Sequence, residues 1–275
     1  MTTETKAPVA AQQPEQTHDE KVEALKAKLR VQHMKTLQNF LGDEKSALKF
    51  LSAMVYSVNN NPKLLSCSID SVMDAFMKCA ELNLYPSSVS GDCFVIPYAG
   101  EAKFQLGYQG IVKLLARSSI IVTACNLIHA NDPWDYEEGL TPKLYHKPDI
   151  FSDRGDPIGV YVIMNVQGIS IPHAMPKAMI MKFKDLAPGG KTKDSPWNSS
   201  KDPELWMWKK TCLKQASKKL PKNELLSKAV SWDNEATPIK EADTPKTITR
   251  PDMSMLDMAA SVPDKPEEKQ PETAE

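Results

Sequence analysis

The run Phe104–Ser118 (FQLGYQGIVKLLARS) joins a strand-like segment to a predicted helix through a corner that reads GYQG. Glycine at both ends of that corner allows the backbone to approach another group closely. Gln109, Lys113 and Arg117 then recur every four residues, which places them on one helical face with Tyr108 at its start. Two interpretations follow: a solvated polar stripe on an ordinary corner, or a surface that contacts phosphates and bases.

Around this corner the apolar pattern changes from helical spacing to short strands and back. The order of helices, then hairpins with an embedded helix, then helices predicts an α+β fold, with antiparallel β-hairpins packed with helices. One helix opens at the capping pattern of Ser71 and Asp74 and stops before Leu84. The other predicted helices are 19–41, 44–59, 109–118, 176–184 and 204–220, and the predicted strands are 93–98, 102–106, 120–128, 159–166 and 169–171.

Both ends of the chain lack this apolar periodicity. Residues 1–18 are polar, and from Ser231 onward the chain is rich in Pro, Asp, Glu, Lys, Ser and Thr. Such a composition does not bury enough apolar surface to offset the entropy of ordering the chain. We therefore predict a disordered N-terminal tail over 1–18, a folded body over 19–230 and an acidic, proline-rich flexible tail over 231–275.

The net charge of −1 hides an uneven distribution. Residues 232–275 carry 11 acidic and 5 basic side chains, and residues 1–20 carry 4 acidic and 1 basic. This leaves the part between them with a net charge of +8. A basic body with acidic ends suits a protein that binds a polyanion such as nucleic acid, although a weakly basic domain with ordinary tails has the same pattern.

The predicted helix 204–220 carries a stripe of lysines with no carboxylate between them. Such a stripe attracts phosphates, whose binding releases counterions, whereas on its own it is equally a solvated helix face. Together with the face of helix 109–118, it predicts a groove in which bases stack on aromatic side chains and lysines follow the phosphates. The predicted DNA contacts are Lys103, Tyr108, Gln109, Lys113, Arg117, Lys209, Lys210, Lys214 and Lys218.

On the same helix, Trp206, Leu213 and Leu220 are seven residues apart, which predicts that they face the core. The segment 187–203 before it is basic and rich in Gly, Pro and Ser, which is typical of a loop. That loop is either a flap over the groove or ordinary surface.

Signals for catalysis are poor. The sequence contains neither GxxxxGK[ST] nor GxGxxG, so no nucleotide-hydrolysis loop is predicted, and its cysteines and histidines lack metal-ligand spacing. Asp132, Asp135, Glu137 and Glu138 are either a divalent-ion site of a nuclease or a solvated turn. We predict a protein that is not an enzyme, with no catalytic site, no metal site and no cofactor, and leave a need for magnesium open.

The N-terminus lacks the apolar segment of a signal peptide, and no apolar run is long enough to span a bilayer. The five cysteines are scattered and odd in number, which favours reduced thiols over disulfides. We therefore expect a cytoplasmic protein without a membrane partner.

The blocks Cys79–Pro86, Gly91–Tyr98, Gln105–Ser118, Gly139–Pro148 and Pro196–Pro221 occur in an order that resembles the phage RecT family of single-strand DNA annealing proteins. The resemblance extends over about residues 20–232. Two positions depart from the family pattern: Gln109 stands where a basic residue is frequent, and Lys219 where an aromatic residue is common.

The resemblance implies ATP-independent binding of single-stranded DNA and annealing of complementary strands in phage-type homologous recombination. It also implies a homo-oligomer, as a ring or helical filament, on single-stranded DNA and the annealed duplex. The expected partners are a phage exonuclease and the single-strand-binding protein of the bacterial host, in whose cytoplasm the protein works. The alternatives are a passive single-strand DNA-binding protein without annealing activity, a metal-dependent nuclease, and a scaffold with an incidental basic face.

Overall fold

The computed structural model describes residues 17–87, 89–187, 190–192, 195–198, 200–221 and 223–236, and within them the predicted α+β class is confirmed. The helices are α1 (His18–Lys28), α2 (Met34–Leu41), α3 (Glu44–Asn60), α4 (Ile69–Glu81), α5 (Tyr108–Ala116), α6 (Lys177–Leu186), α7 (Trp206–Ala216) and α8 (Glu224–Ala236). The strands are β1 (Cys93–Tyr98), β2 (Glu101–Leu106), β3 (Ile120–His129), β4 (Trp134–Glu137), β5 (Lys143–His146), β6 (Pro157–Val166) and β7 (Ile169–Pro176).

The N-terminal helices agree with the sequence in extent but differ in detail. The predicted helix 19–41 is divided by one π-helical turn, Leu29–His33, between α1 and α2. Helix α3 begins where predicted because the Asp43 carboxylate accepts a hydrogen bond from the Ser46 backbone N–H. Its buried face includes Phe50 and Met54, whereas Leu48 is exposed.

Helix α4 begins earlier than predicted. Ser68 is its N-cap, and the Ser68 hydroxyl accepts a hydrogen bond from the backbone N–H of Ser71. The Ser71 hydroxyl accepts in turn from the backbone N–H of Ala102, at 2.9 Å. The capping pattern read at Ser71 therefore marks a contact between α4 and the β1–β2 hairpin rather than the start of the helix.

All strand pairs are antiparallel, and the two predicted hairpins are confirmed as β1–β2 and β6–β7. Strands β3, β6 and β7 form one sheet with β6 in the centre. A third hairpin, β4–β5, was not predicted, because the acidic residues of β4 resemble a turn in sequence.

The folded body extends beyond its predicted end at residue 230. Helix α8 continues to Ala236, with Asp233 buried and the Trp232 ring packed edge-on against Phe104. Composition alone does not predict this helical turn. One aromatic contact and one ionic contact with other elements outweigh the polar character of the segment. The rest of the two predicted tails, 1–16 and 237–275, lies outside the described residues.

None of the helices in the described ranges has both the length and the apolar character needed to cross a bilayer.

Candidate nucleic-acid interface

Two adjoining cavities form one groove between the β1–β2 hairpin and α7. The larger cavity, of about 730 Å³, is lined by the rings of Phe94, Tyr108 and Trp206, and we call it the aromatic end. The smaller cavity, of about 350 Å³, is lined by lysines 210, 214 and 218, and we call it the lysine end. The cavities lie side by side, because they share the lining residues Ile96, Gln105, Pro196, Met207 and Lys210.

The glycine corner at the start of α5 closes one wall of the aromatic end. A Cβ atom on Gly107 would lie 1.9 Å from the Gly91 carbonyl oxygen, and one on Gly110 would lie 2.1 Å from that of Asp92. The Gly107 N–H donates to the Asp92 carbonyl oxygen at 2.8 Å. Both glycines are therefore required because the loop before β1 packs directly against the first turn of α5.

The aromatic end is built around Tyr108 and Trp206, whose ring centroids are 5.3 Å apart in an edge-to-face arrangement. The Lys209 ammonium lies over the Trp206 ring, 4.1 Å from its centroid. The Tyr108 hydroxyl faces inward to Cys125, and burial raises the pKa of Tyr108 well above its usual value. Tyr108 therefore offers its ring, and not its hydroxyl, to the groove.

The prediction that Trp206 faces the core is wrong, since 41% of the residue is exposed. Leu213 and Leu220 are buried as predicted, and the buried face of α7 also includes Trp208, Cys212 and Ala216, which are four residues apart. Cys212 lies against β6, where its thiol donates to the Val160 carbonyl oxygen at 3.7 Å. Trp206 is then left at the groove, together with Phe94, which the sequence did not single out.

The lysine end contains a buried ion cluster that joins α7 to α8. The Lys210 and Lys214 ammonium groups lie 3.2 and 2.5 Å from the two carboxylate oxygens of Asp233. The side chains of all three are largely buried, at 11%, 14% and 4% exposed. Burial alone would raise the pKa of Asp233, but the two ammonium groups outweigh it and hold that pKa below its usual value.

The sequence suggests a lysine stripe without ionic partners. The structure instead pairs two lysines of that stripe with a carboxylate. The partner of Lys210 and Lys214 is supplied by α8, from the segment whose composition predicted a flexible tail. Lys218 lines the lysine end and is exposed as a whole residue. Partial burial of its ammonium group, together with the neighbouring Lys214, lowers the pKa of Lys218. The predicted contacts Lys210, Lys214 and Lys218 do lie together in the groove.

The cations of α5 lie outside the lining of the groove and have structural partners. The Lys113 ammonium is 2.6 Å from a carboxylate oxygen of the buried Asp92. The Arg117 guanidinium donates to the carbonyl oxygens of Leu82 and Asn83, at 2.6 and 2.8 Å, at the C-terminal end of α4. DNA contacts by Lys113 and Arg117 stay predictions, whereas their roles in the scaffold are direct observations.

Of the remaining predicted DNA contacts, one lies at the groove and one lies elsewhere. Gln109 is exposed and lines the aromatic end beside Gly91. Lys103 pairs with Glu101 on the hairpin and lines a separate cavity next to Trp232. The structure therefore brings six of the nine predicted residues to the groove or its rim and leaves Lys103, Lys113 and Arg117 elsewhere.

The acidic segment around β4 does not form a metal site. The Asp132 carboxylate accepts two hydrogen bonds from Arg154, at 2.8 and 2.7 Å, and lies 3.0 Å from His146 Nε2. The Arg154 guanidinium, above all, holds the pKa of Asp132 far below its usual range. Asp135 and Glu137 lie exposed on β4, and within the described ranges no group of three His, Cys, Asp or Glu is placed to hold a metal ion. The Asp132 carboxylate is therefore engaged by Arg154 and His146.

Comparison with known proteins identifies the family of this chain. The model of the RecT family matches residues 48–249. Protein RecT of Escherichia coli (strain K12) is 28% identical to this chain over 234 residues, which cover 81% of each protein. The uncharacterized protein YqaK of Bacillus subtilis (strain 168) is 32% identical over 85 residues, or 31% of this chain and 29% of YqaK. Because the family match covers well over half of the chain, this protein belongs to the RecT family.

Proposed function

We propose that this protein binds single-stranded DNA in the groove and anneals complementary strands without ATP. The observation that carries the proposal is a groove of two adjoining cavities, each of which is lined by both aromatic rings and lysines. Channels for single strands combine these two features, since rings stack on bases of any sequence and cations follow the backbone. Membership of a family of single-strand annealing recombination proteins supports the same function.

In this proposal the two ends of the groove have separate tasks. Trp206 and Tyr108 stack on bases at the aromatic end, and Lys210, Lys214 and Lys218 bind phosphates at the lysine end. Contacts of this kind carry no sequence information, so the identity of the second strand is decided by base pairing alone. Pairing is favourable by itself, which is why the mechanism needs no hydrolysis of a nucleotide.

We further propose that the protein acts as a homo-oligomer, in a ring or a helical filament on DNA, beside an exonuclease and the single-strand-binding protein of a bacterial cytoplasm. A row of subunits converts several weak groove contacts into tight binding. Exposed apolar side chains on the N-terminal helices, Val31 and Tyr56 among them, offer a surface for such contacts. Mass photometry with and without an oligonucleotide tests this, with growth of the assembly on DNA as the expected result.

The test of function is strand annealing with two complementary labelled oligonucleotides, without ATP, over a series of salt concentrations. We expect the protein to pair them faster than they pair alone. Lys218→Glu should slow pairing and weaken binding, because it places a negative charge where phosphates pass. A matched control is Lys63→Glu, which has the same change of charge on an exposed residue that lines neither cavity.

Each outcome of that assay has a defined meaning. Binding without faster pairing would identify a passive single-strand DNA-binding protein. No binding at low salt would reject the proposal. Equal loss in the Lys218 and Lys63 variants would show that net charge matters and the groove does not.

A further inference from the structure

We propose that the groups holding Asp233 form a phosphate-binding site, and that a phosphate of the incoming DNA strand displaces the Asp233 carboxylate from it. The inference rests on the proposed function, because it requires a strand in the groove. Asp233 is then a resident anion that occupies the site only while DNA is absent.

The donor set around Asp233 is one that suits a phosphodiester. Its two carboxylate oxygens accept from the Lys210 and Lys214 ammonium groups, and one of them accepts from the backbone N–H of Leu106 at 3.0 Å. Two ammonium groups and a backbone N–H that converge on one anion resemble the way proteins bind phosphate oxygens. The non-bridging oxygens of a phosphodiester accept the same three hydrogen bonds.

The position of Asp233 places this site in the path of the strand. Asp233 and Asn234 line the lysine end, next to Lys218, and Lys210 also lines the aromatic end. A strand whose bases reach Trp206 therefore carries its backbone along α7 toward the carboxylate. With Asp233 in place, that backbone meets a like charge, which disfavours binding.

An anion at this point is needed when DNA is absent. Lys210 is buried, and burial lowers the pKa of its ammonium group. Two buried ammonium groups without a counter-charge would be costly, and Asp233 removes that cost. Exchange of a carboxylate for a phosphate keeps the lysines paired, so the site passes from one anion to the other without an unpaired state.

The end of α8 permits the exchange. Asp233 lies in the last turn of α8, three residues before the bound of the helix at Ala236. Terminal turns open at low free-energy cost compared with the core. The preceding turns are anchored more firmly, by Lys228 on Glu81 and by Trp232 between the ammonium groups of Lys78 and Lys228. We therefore place the exchange in this last turn, whose release would move Asp233 away from the lysines.

The experiment compares the wild-type protein with Asp233→Asn in binding a labelled oligothymidylate at pH 7 over a series of salt concentrations. The asparagine keeps an oxygen for the Leu106 N–H but removes the competing charge. If Asp233 occupies the site about 90% of the time, the variant should bind about tenfold more tightly. Because the same phosphate enters the site in both proteins, their logarithmic salt slopes should differ by less than about 0.7, the value of one phosphate contact on a single strand.

Glu235→Gln is the matched control, with the same change of charge two residues further on. Glu235 lies near Lys78, on the opposite side of α8 from the groove cavities, so its loss should alter binding little. Equal or weaker binding by Asp233→Asn than by Glu235→Gln would overturn the inference. Wild-type protein that fails to bind at low salt would reject the proposed function itself, which is a different result.

A second measurement decides the matter if Asp233→Asn does not fold, as judged by circular dichroism. Hydrogen exchange of the wild-type protein is measured with and without the oligothymidylate. The amides in the last turn of α8 should exchange faster when DNA is bound, because Asp233 no longer anchors them. Unchanged or slower exchange there would show that Asp233 stays on the lysines and would overturn the inference.

Discussion

Helices α5 and α7 both carry cations four residues apart, yet the two helices use them differently. On α5, Lys113 pairs with the buried Asp92, and Arg117 binds the carbonyl groups at the end of α4. On α7, Lys210 and Lys214 lie in a groove and share a carboxylate from α8. The comparison teaches that spacing places side chains on one face of a helix, whereas the neighbouring elements decide what that face contacts.

The largest expected effect concerns the corner before α5. Gly110→Ala brings a Cβ atom to 2.1 Å from the Asp92 carbonyl oxygen, a backbone atom that cannot move away alone. We expect the free energy of unfolding to fall by about 3 kcal/mol or more, as measured by urea denaturation. Gly139→Ala is the control, because nothing lies within 4 Å of its added Cβ atom. Similar stability of the two variants would contradict the close packing of this corner.

Arg117 tests whether α5 serves the scaffold. Arg117→Met removes two charge-assisted hydrogen bonds from carbonyl groups of Leu82 and Asn83, and should lower the free energy of unfolding by about 2 kcal/mol. The free energy of unfolding of Arg117→Lys should lie between the values for Arg117→Met and the wild type, because an ammonium group cannot reproduce the planar fork of a guanidinium. Full stability of Arg117→Met, together with loss of DNA binding, would instead assign Arg117 to the interface.

Trp206 tests the aromatic end of the groove. Trp206→Leu should weaken binding of single-stranded DNA by about 1 to 2 kcal/mol through lost stacking, as measured by fluorescence anisotropy, with little change in thermal stability. Trp134 in β4 provides the control, since it is 44% exposed against 41% for Trp206 and does not line the groove. Equal effects of Trp134→Leu and Trp206→Leu would remove the case for stacking at this site.

The smallest expected effect compares Lys218, in the 3-10 turn that follows α7, with Lys113 on α5. Lys218→Met should reduce the salt dependence of DNA binding by about 0.7 in the logarithmic slope, which corresponds to one phosphate contact on a single strand. Lys113→Met should leave that slope unchanged and lower stability, because it strips the buried Asp92 of its cation. A reversed pattern would transfer the phosphate contacts to α5 and break the distinction between the two helices.

The sequence alone determined the class of the fold and most of its elements. Apolar periodicity depends on contacts between near neighbours in the chain, so α3, the β1–β2 hairpin and the strand β3 end within a residue or two of their predicted limits. Ordered motifs were sufficient to indicate the RecT family, which the family match then confirmed. The limits of the elements depend on local sequence, and the family is indicated by several motifs taken together. Neither inference requires knowledge of which elements pack against each other.

Tertiary structure decided which cations are available to a ligand. Asp92 lies 21 residues before Lys113, and Asp233 lies 19 residues after Lys214, so no helical spacing reveals either pair. The choice between Trp206 and Trp208 as the buried ring also depends on which face of α7 meets β6. Burial and ion pairing are properties of elements packed against each other, which is why a stripe of lysines in the sequence became a groove with its own carboxylate.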